Sequence, residues 1–145
     1  MRPLLFFILL TLIASSVFGQ DNGDKNKTVG FNCYRTGHPT KTVEEVTDLL
    51  LKNNYKAISD LLKNGHGGEK FLATISLEKL AALGQYQLSD DEKRLISKIK
   101  TSGRKVSVCD GCTYVDKVSL KQMFSDENFL GANWWIEKIL NADKQ

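Results

Sequence analysis

Apolar residues recur at helical spacing through most of the chain after residue 41, and one stretch of strand-like alternation interrupts them. Val43, Val46, Leu49 and Leu50 line one face of a helix that Thr42 and Glu45 open as a capping box. A break at Asn53-Asn54 leads to Tyr55, Ile58, Leu61 and Leu62, again at helical spacing. Gly65 sits where a left-handed cap would end that second helix, and His66-Gly67-Gly68 prolongs the turn. Residues 69–83 (EKFLATISLEKLAAL) form the strongest helical segment. Their apolar residues occupy two faces, Leu72 and Ile75 on one and Ala73, Leu77, Leu80 and Ala81 on the other, so this helix is expected to pack on both sides. Gly84 should stop it. Ser89 and Glu92 form a second capping box, with Leu95, Ile96 and Ile99 as the buried stripe, and Ser102-Gly103 closes that helix.

Val106 to Val115 alternates and is rich in β-branched residues, with Asp110-Gly111 at its centre. An Asp-Gly pair between such runs predicts a two-residue hairpin turn. The chain then returns to helix, briefly over 119–124 and again over 132–142, where Trp135, Ile136, Ile139 and Leu140 share a face. Trp134 is assigned to the core beside them, since a small domain needs large side chains to fill its interior. The fold class expected is mainly α: a compact antiparallel helical domain with one small β-hairpin near residues 105–116.

Residues 55–83, with Leu61-Leu62 ending one helix, a polar turn, and Ala73, Leu77 and Leu80 on the next, resemble one HEAT-like helical-repeat unit. That resemblance implies antiparallel helix packing and a scaffold for protein contacts. It covers about a fifth of the chain, whereas repeat arrays need about three units or more. A hairpin after Gly103 is not part of such an array.

The N-terminus changes the picture of where the protein works. Arg2 precedes an apolar run, Leu4 to Ile13, and Val17 and Gly19 follow at small-residue spacing. This is the organisation of a signal peptide, and the run is short for a bilayer span. Residues 1–19 are therefore expected to be cleaved, 20–30 to form a polar flexible leader, and 31–145 to form a single helical domain. Export to the periplasm or the extracellular space follows. No later segment is apolar enough to enter a membrane. Asn26-Lys27-Thr28 is a glycosylation acceptor only in a eukaryotic secretory pathway.

Of the 20 Lys and Arg residues, removal of Arg2 leaves 19 against 17 Asp and Glu, too even a balance for a dedicated nucleic-acid binder. The acidic runs Glu44-Glu45 and Asp90-Asp91-Glu92 sit in first helical turns, where they favour the helix dipole. No nucleophile elbow, phosphate loop, metalloprotease or calcium motif is present, so nothing argues for an enzyme.

The three cysteines carry the remaining chemistry. Cys109 and Cys112 form a C-x-x-C within the hairpin, and Cys33 lies in the irregular segment 31–40. A thioredoxin-type dithiol needs a helix N-terminus after its first cysteine, and Cys112 is followed by a strand-like run instead. A zinc site needs four ligands, and Cys33, His38, Cys109 and Cys112 supply that set. In a hairpin turning at Asp110-Gly111, Cys109 and Cys112 face each other about 5.5 Å apart, within bonding range. A bridge from Cys33 to either one would close a loop of some 75 residues and stabilise by about 4 kcal/mol. A structural cysteine site at Cys33, Cys109 and Cys112 is expected, with the partner of Cys33 open. His66 falls in a helix-to-helix turn. The functional expectation is a non-catalytic binding module with a protein partner and no cofactor. The alternative is a thiol-disulfide redox protein or a small zinc-stabilised protein built on Cys109 and Cys112.

Overall fold

The structure is a computed structural model that describes residues 27–111 and 113–142. It is mainly helical with one small antiparallel hairpin, as the residue periodicity predicts. The proposed signal peptide, most of the leader, and Cys112 lie outside the described residues.

Helix α1 (Lys41–Leu51) is capped two residues before the expected Thr42 box. Thr40 is its N-cap, with extended backbone, and its N–H donates to the Gly30 carbonyl. Pro39 and this tether set the entry angle, so Thr42 falls inside the first turn, where it is buried. Val43, Val46 and Leu50 point to the core. Asn53, with φ of 52°, takes the left-handed break. Asn54 then caps α2 (Tyr55–Asn64) by accepting the Ala57 N–H.

Gly65 is extended, with φ of −69° and ψ of 160°, so the expected left-handed cap is corrected. The prolonged turn is corrected as well: α3 (Gly67–Ala82) begins at once, with His66 as N-cap and the Glu69 carboxylate accepting the His66 N–H at 2.6 Å. Gly67 and Gly68 serve close packing rather than a turn. A β-carbon on Gly67 would lie 2.7 Å from Val106 Cγ2, and one on Gly68 would lie 2.6 Å from Val29 Cγ2. Without side chains there, the start of α3 presses directly onto the hairpin and the N-terminal segment.

Helix α3 is buried nearly all round, through Phe71, Leu72, Ala73, Leu77 and Leu80, and it touches every other helix. That meets the expectation from its two apolar faces. It ends before Gly84, whose φ is 70°. Helix α4 (Asp90–Lys100) carries the expected Ser89–Glu92 capping box, with Ile96 and Ile99 buried.

Strands β1 (Lys105–Asp110) and β2 (Thr113–Ser119) pair antiparallel, but one residue away from the expected register. Asp110 opposes Thr113 and Cys109 faces Tyr114, so Asp110 is a strand residue and the turn starts beyond it. The N-terminal segment explains the shift. It runs parallel to β1: Val29 N–H donates to Ser107 O at 3.0 Å, and Cys109 N–H to Val29 O at 2.9 Å. Beyond β1, Gly111 N–H donates to Asn32 O and Tyr34 N–H to Gly111 O. Gly111, with φ of 56°, is thus held at the first turn position. A bulge between Val106 and Val108 completes the irregular register.

The same pairing moves the boundary of the leader. Thr28 and Val29 are both 0 % exposed, so ordered packing begins before residue 31. The C-terminal part follows the expected order, with α5 (Leu120–Met123) capped by Ser119 and Gln122, and α6 (Ala132–Ala142) after a short 3₁₀ turn at Phe129–Gly131. Trp135, Ile136 and Ile139 are buried. Trp134 is not: it is 64 % exposed, which corrects its assignment to the core. One apolar core runs from Val29 to Ile139.

Candidate functional site

The sequence-derived candidates converge on the corner where the N-terminal segment meets β1. Cys33 and Cys109 are bonded to each other, with Cα atoms 5.7 Å apart, across 76 positions of sequence. Both are buried, at 0 % and 2 % exposure. Gly30 backs the bridge, because a β-carbon there would overlap Cys33 Sγ and the Cys109 carbonyl. His38 joins the corner only through its backbone, exchanging hydrogen bonds of 2.8 and 3.1 Å with Cys33, and its side chain is exposed. The fourth candidate zinc ligand, Cys112, lies outside the described residues. Among the described residues, no three His, Cys, Asp or Glu side chains gather as a metal set. The Cys33–Cys109 bond engages the Cys109 sulfur that a Cys109–Cys112 dithiol or a zinc site would use.

A second feature emerges from the packing of α1, α6 and the loop after the cysteine corner. These elements frame an open groove of about 720 Å³, in the size range of ligand sites. Phe31, Leu51, Leu130, Trp134, Trp135 and Ile139 give it apolar walls. Trp135 is fixed from both sides. Its ring meets Phe31 at a centroid distance of 5.3 Å, and its Nε1–H donates to Thr47 Oγ1 at 3.0 Å. Thr47 Oγ1 in turn donates to Val43 O at 2.7 Å, so that hydroxyl is engaged as donor and acceptor. Trp134 and Leu51 are largely in solvent, at 64 % and 51 % exposure. The groove's only charged lining residue, among those described, is Lys138, whose ammonium sits 5.1 Å from the Trp134 ring centroid. A large apolar surface left in water beside a rigid buried aromatic is what a binding face looks like.

Sequence reasoning missed this groove, yet a signal was present. The helical neighbours of Trp134 at i+3, i+4 and i+7 are Glu137, Lys138 and Asn141, all polar. That places Trp134 on the solvent face of α6.

The buried carboxylates have structural partners. Glu92 receives hydrogen bonds from Ser59 Oγ at 2.5 Å, Tyr86 Oη at 2.6 Å, and the Ser89 N–H and hydroxyl. Its burial acts to raise its pKa, but the bonds from Ser59, Tyr86 and Ser89 prevail and lower it to about 2. Burial and the Glu92 bond raise Tyr86. Glu69 is likewise lowered: burial opposes, and the Lys27 ammonium at 2.8 Å and the His66 N–H outweigh it. These groups tie α2 to α4 and the N-terminal segment to α3. Both carboxylates sit in capping positions, away from the groove.

No protein-family profile, curated protein or solved structure matches this chain.

Proposed function

We propose that this protein is an exported, non-catalytic binding module whose working surface is the α1–α6 groove. Trp134 carries the reading. It is a tryptophan held 64 % exposed on a well-packed helix, lining with Leu51 a groove in which Thr47 holds the Trp135 indole. Folding alone gives no reason to leave such a side chain in water, whereas exposed tryptophans are the anchors that dominate binding energies. Export is supported by the Cys33–Cys109 bond, of a kind that persists in oxidising compartments. Among the described residues no helix is long and apolar enough to cross a membrane. The helical-repeat likeness of residues 55–83 fits a scaffold role, although the groove itself is built from α1, α6 and residues 31–39.

Nile red, a neutral apolar dye, tests the reading. It should bind the protein with enhanced, blue-shifted emission. The double variant Trp134→Ala/Leu51→Ser should bind about ten-fold more weakly at an unchanged melting temperature. Absence of dye uptake, or equal uptake by the variant, overturns the proposal.

A further inference from the structure

We infer that the groove takes a single-chain anionic amphiphile, a hydrocarbon tail lying between α1 and α6 with its carboxylate at Lys138. The inference rests on the binding-module reading and deepens it by naming the ligand. Two observations lead there.

The first is charge. Lys138 is the one charged side chain lining the groove among the described residues. It follows Trp134 by one helical turn and lies over its ring. Among the described residues, Glu137, the acid beside Lys138 in sequence, pairs with Lys79. Lys138 therefore offers a cation at the edge of an apolar surface, complementary to an anionic head whose tail lies on Trp134.

The second is the state of the polar wall. An extended peptide laid in the groove would bring amide groups that need partners. Thr47 Oγ1 already serves Val43 and Trp135, and the other uncharged hydrogen-bonding side chains in the lining are Asn32 and the Trp134 indole, too few to pair an extended backbone. A hydrocarbon chain makes no such demand. The volume of about 720 Å³ also suits a ligand of this size class.

Both tryptophans of the chain, Trp134 and Trp135, line the groove, so intrinsic fluorescence reports its occupancy directly. The experiment titrates the purified protein with dodecanoate below its critical micelle concentration, and separately with dodecanol. The expected result is a saturable blue shift, with dodecanoate binding about five-fold more tightly than dodecanol. Affinity should also rise about two- to four-fold per added methylene. The preference for the carboxylate should vanish in Lys138→Gln, while dodecanol binding stays unchanged.

Equal binding of dodecanoate and dodecanol overturns the carboxylate assignment and leaves the module reading standing. Binding of an amphipathic helical peptide but of neither amphiphile does the same, and points to a protein partner. A shift seen only with vesicles containing an anionic lipid replaces the free ligand with a membrane surface. No response to amphiphiles, peptide or Nile red removes both readings together.

Discussion

The segment 29–39 has two sides with opposite character. Toward β1 it is closed: Val29 and Cys33 are wholly buried, their backbone groups are paired with β1 or His38, and Cys33 is bonded to Cys109. Toward α1 and α6 it is open: Phe31 and Pro39 line a groove ending in an exposed Trp134. One short stretch of irregular chain thus serves as a strand of the core and as the wall of a surface. The closed side is what lets the open side exist. The bridge and the backbone pairing anchor the stretch of chain that carries Phe31 to its contact with Trp135.

The severest way to test that dependence is to cut the bridge. Replacing both Cys33 and Cys109 by Ala frees a loop of 76 positions, which should cost about 4 kcal/mol and lower the melting temperature by roughly 10–15 °C. Calorimetry measures the first effect. If the closed side supports the open one, Nile red affinity should fall in the same variant at a temperature where it remains folded. Unchanged dye binding would mean that α1 and α6 hold the groove unaided.

Acid should act next, where α2 meets α4. Glu92 has a folded pKa of about 2, below its ordinary 4.5. Its contribution is complete above the ordinary value and is lost as pH falls toward 2. The difference corresponds to about 3 kcal/mol, and Glu69 shifts in the same direction. Urea unfolding near pH 5 and near pH 2 should show the loss, and Glu92→Gln should flatten it. A Gln variant with an undiminished pH slope would place the acid sensitivity elsewhere. Because Glu92 joins α2 to α4, dye binding at α1–α6 should survive wherever the protein stays folded.

These two regions differ in how far the sequence discloses them. The Ser89–Glu92 box is local, with donor and acceptor three residues apart, so it can be read directly. The helices follow for the same reason, since each apolar stripe repeats within its own segment. The hairpin register is not local. Asp110-Gly111 is a good turn pair, yet Asn32 and Tyr34, some eighty residues earlier, hold Gly111 and move the turn by one position. Gly65 and Gly67-Gly68 mislead similarly. They look like a flexible turn, but Gly67 and Gly68 are glycine because Val106 and Val29 come against them from distant parts of the chain. The cysteine site is legible as three residues, and its pairing depends on the same long-range docking. The groove was invisible because it is a space between α1, α6 and a loop, although Trp134 carried a readable polar flank.

A smaller effect separates the rigid wall from the free one. Thr47→Val removes the acceptor of the Trp135 indole and should cost about 1 kcal/mol, with a Trp135 donor left unpaired. Urea unfolding measures the loss, and the Trp135 fluorescence maximum should move as the ring loosens. No change in either would mean that Phe31 alone positions the ring.

Trp134→Ala should have the least effect on stability and the most on binding. The side chain is 64 % exposed, and its contact with Lys138 is on the surface. Truncation should change stability by no more than about 0.5 kcal/mol, the range of ordinary surface substitutions. Trp135→Ala, one residue on but 8 % exposed and hydrogen-bonded, should cost about 3–5 kcal/mol. Equilibrium unfolding of the two variants side by side is therefore a direct measure of which tryptophan the fold needs. If Trp134→Ala destabilised the protein as much as Trp135→Ala, Trp134 would be a core residue after all, and the groove a gap in packing rather than a surface held open. A difference of several kcal/mol between adjacent tryptophans would show that one belongs to the fold and that the other is left for something else.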